Sequence, residues 1–170
     1  MSSLRKTALK YALICGVMLI ATHIILDLID AKPLINFNAF FIDLVMFFGF
    51  VFFAAKEFKE YRNGGILHFW QGISIGIIII LIGVVIFTVF LATYYTINET
   101  AFQEYIADGM AFFEKQRDNW THLTDEEFAK QKADYQKATV SNLVLGKFWT
   151  KLVVGFLTVP LVAIVLRKQN

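Results

Sequence analysis

The sequence predicts an all-α, polytopic membrane protein with four transmembrane helices and a helical outer loop between the third and the fourth. Three observations predict it. The stretch ISIGIIIILIGVVIFTVFLATYY at 73–95 has no charged side chain, and about 18 apolar residues in a row are enough to read a spanning helix. Of the 170 residues, 57% are hydrophobic and 18% charged, against about 45–50% and 25% in soluble domains. The basic residues gather at the ends of the apolar runs. One four-helix bundle domain, 1–170, is expected.

Span one is read at 11–29, long enough for a hydrocarbon core of roughly 30 Å at about 1.5 Å per residue. Arg5, Lys6 and Lys10 precede it, as in a signal peptide. No small-x-small cleavage site follows, because Ala21-Thr22-His23 fits poorly, so the stretch reads as a retained span. Pro33 ends it by removing a donor and disfavouring helix at Lys32. Span two, 37–55, is dense in phenylalanine and continues as an exposed helix to Arg62. Gly64 and Gly65 stop that helix. Span three is 73–95. Span four, 148–166, contains Pro160, which neighbouring helices can accommodate.

Charge sets the orientation. Arg5, Lys6 and Lys10 lie before span one, Lys56, Lys59 and Arg62 between spans two and three, and Arg167 and Lys168 after span four. The short link on the other side has only Lys32. Long loops count little in the positive-inside rule, so both termini are expected in the cytoplasm. Trp70, Tyr94, Tyr95 and Trp149 mark span ends as interfacial aromatics.

The outer loop, 96–147, is too long to be structureless. Thr100 with Gln103 reads as one capping box, opening a helix at 101–117. Phe102, Ile106, Gly109 and Phe113 share a face of that helix, to be covered by the bundle rim, the bilayer or a partner. Thr124 with Glu127 reads as a second box, opening a mostly polar helix at 125–139 that continues toward span four.

Net charge is +2, which argues against nucleic acid as a partner. The lone Cys15 can form no internal disulfide. Paired-histidine metal spacing, a nucleophile elbow and a phosphate-cradling glycine loop are all missing. No enzymatic activity, metal or cofactor is therefore expected, and His68 and His122, alone near the interfaces, read as ordinary surface residues. Gly72, Gly76 and Gly83 make a small-residue stripe on span three, which favours close helix packing within the chain over a dimer face.

Ionisable residues inside the spans are the candidate site. His23 and Asp43 each lie six residues in from an outer boundary, about 9 Å deep, and Lys151 about 5 Å deep. Asp27 is one turn from His23, and Lys147 one turn above Lys151. The expected pairs are Asp43 with Lys151 or His23, and Asp27 with Lys147. In one reading these are ion pairs that lock helices together. In the other they line a polar cavity that takes an ion, a proton or a head group.

Five segments then carry a resemblance: the basic start, KEFKEYRNGG at 56–65 followed by HFWQG at 68–72, YYTIN at 94–98, VGF at 154–156 and RK at 167–168. Over nearly its whole length the chain resembles a family of small four-span inner-membrane proteins of Bacteroidota, described only as domain of unknown function 4199. The resemblance implies this fold in a bacterial inner membrane and no known activity. It also implies a partner, another membrane protein or a polyprenol-phosphate glycosyltransferase, whose gene is associated with family members. The expected role is a non-catalytic accessory or scaffold subunit. Readings from other classes are a small ion-coupled transporter using the polar cluster, or a lipid-processing enzyme with an outer-face site. A dry, paired cluster favours the scaffold, and a wet cavity open to one side favours transport.

Overall fold

The computed structural model describes residues 3–32, 34, 35, 38–119 and 124–167. Pro33, His122, Lys168 and position 37, the expected start of span two, lie outside them. Among the described residues the elements are helices: α1 is Ser3–Leu28, α2 Asn38–Arg62, α3 Phe69–Ile97, α4 Glu99–Gln116, α5 Asp125–Gln136 and α6 Val140–Leu166. A 3-10 turn, Arg117–Asn119, follows α4. α1, α3, α6 and Ala39–Arg62 of α2 are long and apolar enough to cross a membrane. The fold is therefore all-α and multi-pass, with a helical segment between the third and fourth long helices.

Each long helix overruns the span read from hydropathy. Hydropathy marks only the residues that hydrocarbon tolerates, whereas helical hydrogen bonding continues through the head-group zone. Long Lys and Arg stems there stay apolar while their heads reach water. The largest difference is in α6, which begins at Val140. Thr139 starts it: its hydroxyl accepts from Asn142 N at 3.3 Å, and Asn142 Oδ1 accepts from Thr139 N at 2.9 Å. The expected run of α5 into span four is thus broken at Lys137 to Thr139. Asn142, where Glu or Gln is usual, completes this box.

The first loop helix also starts earlier than expected. Asn98, not Thr100, caps it, accepting from Ala101 N at 3.1 Å. Asn98 also closes α3, so one residue passes the chain from a spanning helix to the loop. The Thr124–Glu127 box is present as read, with Thr124 Oγ1 accepting from Glu127 N at 3.2 Å. Gly64 and Gly65 stop α2 with φ of +60° and +81°. The Gly65 amide returns to the Lys59 carbonyl, six residues back, at 2.8 Å, a reversal made through left-handed glycines.

α3 is the axis of the packing. Its buried positions recur every three or four residues from Gly72 to Tyr95. α1 lies on one side of it and α6 on the other, and α2 closes the ring by touching both α1 and α6. The opposite faces carry exposed Val17, Phe53, Val89 and Ile164. In water that belt would be an aggregation surface; in a bilayer it is the solvated one.

α4 and α5 fold together at one end. Phe113 lies 5.2 Å from Tyr135 and 6.4 Å from Phe128, ring centre to ring centre. Tyr95, at the end of α3, lies 6.3 Å from Phe102. Ile106 is buried and Phe102 and Phe113 half-buried, while Glu104, Glu114 and Lys115 are exposed. The apolar face of α4 is therefore covered from within the chain, by α5 as well as by the helix ends. The contribution of α5 was not anticipated, because its mean polarity masks Phe128 and Tyr135, one heptad apart on one face. Gly109 sits directly under the Tyr135 ring, where a Cβ would overlap it.

Candidate functional site

The site begins with a carboxylate on α2 and an ammonium on α6. Asp43 Oδ2 and Lys151 Nζ lie 2.5 Å apart, with side chains 14% and 11% exposed. Neither charge is tolerable alone in hydrocarbon, and each is the other's counter-charge. Lys151 Nζ also lies 4.4 Å above the centre of the Phe87 ring of α3, whose negative face adds to the attraction.

His23 of α1 lies beside the pair without joining it. Its ring meets Phe87 edge-on at 5.7 Å and Phe90 at 6.1 Å. It is 5% exposed, and its Nε2 has no hydrogen-bond partner among the described residues. His23, Asp43, Phe87 and Lys151 border a cavity of about 20 Å³, room for about one water. Of the two partners weighed for Asp43, the structure brings it Lys151.

The pairing of Asp27 with Lys147 is not formed. Lys147 Nζ donates instead to the Leu34 carbonyl. The link between α1 and α2 turns over α6 and presents a backbone acceptor there, which no side-chain pattern announces. Asp27 faces a second cavity, of about 150 Å³, further toward the α4–α5 end. Asp30 and Lys32 of the link, Tyr94 and Tyr95 of α3, and Glu104, Tyr105 and Asp108 of α4 border it as well. Lys32 bridges Asp30 and Asp108 at 2.7 Å each. Those two hydrogen bonds, to Asp108 first and then Asp30, raise the Lys32 pKa above the ordinary lysine value. Asp30 and Lys32 both adopt positive φ, +57° and +46°, a conformation that costs about 1–3 kcal/mol in a non-glycine residue and persists only where its surroundings hold it. Burial raises the Tyr105 and Tyr135 hydroxyl pKa values.

The glycine stripe serves two interfaces. A Cβ built at Gly72 would meet Ala163 of α6 at 3.0 Å, and one at Gly76 would meet Val159 at 2.7 Å. Gly83 faces the other way, toward Cys15 of α1 at 3.3 Å. Two glycines that the stripe did not include complete the pattern: Gly16 of α1 lies under Ile86, and Gly155 of α6 under Ile80.

At the opposite end, Lys10 reaches Glu57 at 2.5 Å and Tyr11 donates to the same oxygen at 2.9 Å. Lys59 donates to the last α6 carbonyl, of Leu166, at 3.0 Å, a favourable place for a cation. Asn63 donates to Ile66 O at 2.8 Å and to Gln71 Oε1 at 3.1 Å, and Gln71 Oε1 accepts from His68 N at 3.0 Å. The RNGG and HFWQG motifs thus form one device, a helix stop and a helix start sharing the Gln71 side chain.

A family model described as "Protein of unknown function (DUF4199)" matches residues 10–168. No curated protein and no solved structure matches the chain.

Proposed function

This chain belongs to the DUF4199 family, and we propose that it acts as a non-catalytic accessory or scaffold subunit of a bacterial inner membrane. The observation that carries the reading is the closed state of the intramembrane charges. Asp43 and Lys151 satisfy each other at 2.5 Å, and the cavity beside them has room for about one water. A carrier needs a polar site that a solute can enter. This pair instead joins α2 to α6 and holds the long helices in register.

Both termini face the cytoplasm in this proposal. Arg5, Lys6, Lys10, Lys56, Lys59 and Arg62 support that orientation, since all sit at the end away from α4 and α5. The α4–α5 end then stands outside the membrane. The partner is another membrane protein, and the family resemblance favours a polyprenol-phosphate glycosyltransferase.

His23 favours a second reading, a small ion-coupled transporter, because it borders the same small cavity and its Nε2 has no partner among the described residues. One comparison separates the two. The full chain is purified in mild detergent with co-purifying chains identified, and in parallel reconstituted into liposomes for ion and proton flux. A reciprocally co-purifying membrane protein with no flux is the expected result. Flux that Asp43→Asn abolishes would replace the scaffold with the transporter.

A further inference from the structure

The cavity at the α4–α5 end has an excess of negative charge. Asp27, Asp30, Glu104 and Asp108 border it, against Lys32. Lys32 takes up Asp30 and Asp108. Asp27 and Glu104 have neither an ion pair nor a side-chain hydrogen bond among the described residues. A second observation is independent of the carboxylates. Tyr95 is only 5% exposed and lines the same cavity, yet its hydroxyl has no hydrogen-bond partner among the described residues. The ring is buried but the hydroxyl oxygen is not sealed off, so a free acceptor is open to a group from outside the chain.

We propose that this cavity binds a primary ammonium group, with Asp27, Glu104 and the Tyr95 hydroxyl accepting its three N–H donors. An ammonium offers three donors and no acceptor, which matches the unused acceptors here. Tyr94 and Tyr105 add ring faces, which attract cations. Among the described residues, no three carboxylates, imidazoles or thiols converge closely enough to hold a metal ion. The cavity, about 150 Å³, exceeds what a single water fills.

Its depth points to the source. Asp27 lies in the last turn of α1, and Tyr94 and Tyr95 lie near the end of α3, where interfacial tyrosines meet the head groups. Leu28 and Ile29, next to Asp27, are 81% and 67% exposed and would lie against acyl chains. The ammonium thus comes either from a phospholipid head group or from a free amine.

The test uses the full chain in nanodiscs, followed by thermal unfolding. In phosphatidylglycerol discs, ethanolamine is titrated; in a second arm, phosphatidylethanolamine replaces part of the lipid. A raised midpoint in either arm is the expected result, and the arm that gives it identifies the source. Choline, which has no N–H donor, should leave the midpoint unchanged. Asp27→Asn with Glu104→Gln should abolish the shift, and Tyr95→Phe should weaken binding several-fold. Asp27 is exposed, so Asp27→Asn alone keeps the fold should the double variant fail, and it too should weaken binding several-fold. No shift in either arm, an equal shift with choline, or an undiminished shift in Asp27→Asn would overturn the proposal.

Discussion

The Lys151 ammonium lies 2.5 Å from the Asp43 carboxylate and 4.4 Å from the centre of the Phe87 ring. One nitrogen therefore ties α6 to α2 by charge and to α3 by an aromatic face. A single substitution at this point acts on three helices at once.

Asp43→Asn and Lys151→Met should each destabilise the protein by about 3–5 kcal/mol, because each strands a buried charge. The double variant should lose much less than the sum, since a neutral pair leaves nothing unpaired. Unfolding in detergent of the two single variants and the double measures the coupling. Strictly additive losses would show that the two residues do not interact.

Glycine substitutions should divide by what each Cβ meets. Gly155→Ala would place a methyl 2.6 Å from Ile80 Cγ2, and Gly76→Ala 2.7 Å from Val159 Cγ1. Overpacking of this kind costs about 1–3 kcal/mol. Val159→Ala should restore part of the Gly76→Ala loss. Gly49 has nothing within 4 Å, so Gly49→Ala should stabilise α2 by about 0.5–1 kcal/mol. The same detergent unfolding reads all four, and a loss at Gly49 equal to that at Gly76 would refute the assignment.

Topology is open to labelling. Cysteines at Ser3 and Lys115 are offered to a membrane-impermeant thiol reagent on intact spheroplasts. Lys115 is exposed and Cys15 buried, so the native thiol should stay silent. Reaction at position 115 and not at 3 is the expected pattern, and the reverse would invert the proposed orientation.

Lys32 should hold α4 against the α1–α2 link across the neutral range. Its folded pKa is raised above the unfolded value of 10.5. The contribution is therefore complete below that value and is lost only as pH rises through the higher folded one. From about pH 6 to 9, α4 amide protection should be insensitive to this group. Lys32→Gln should speed α4 hydrogen exchange several-fold throughout that range while leaving α3 unaffected. An unchanged α4 would mean that the two bridges carry no constraint.

How much of this was legible in the sequence depended on the kind of partner each residue has. Asp43 and Lys151 could be matched by depth, because both are side chains in apolar runs and each needs a counter-charge. Lys147 could not be matched, because its acceptor is the Leu34 carbonyl, and backbone acceptors carry no residue signature. Asp27 then lost its expected partner and turned out to border a different cavity. Tyr95 read simply as a boundary aromatic; its idle hydroxyl is visible only once α4 has folded over it. The long helices were legible because lipid imposes one composition over many residues. Their ends were less so, because helix caps depend on a few atoms, and Asn98 and Thr100 are both good caps.

The glycines of α1, α3 and α6 have a mechanical consequence. Side chains seated over glycines act like teeth in a rack. Sliding α6 one turn toward the C-terminal end of α3 would carry Val159 off Gly76 and into Ile80, whose side chain is seated over Gly155. α1 is toothed to α3 in the same way through Gly16 and Ile86. α2 has no such teeth, since its one glycine, Gly49, faces open space. Polar clasps fasten it: Asp43 to Lys151 near one end, and Glu57 and Lys59 near the other. Clasps open without forcing atoms through one another, and lipid gives no hydrophobic penalty for separation. Under force or in denaturant, α2 should detach first, leaving α1, α3 and α6 meshed.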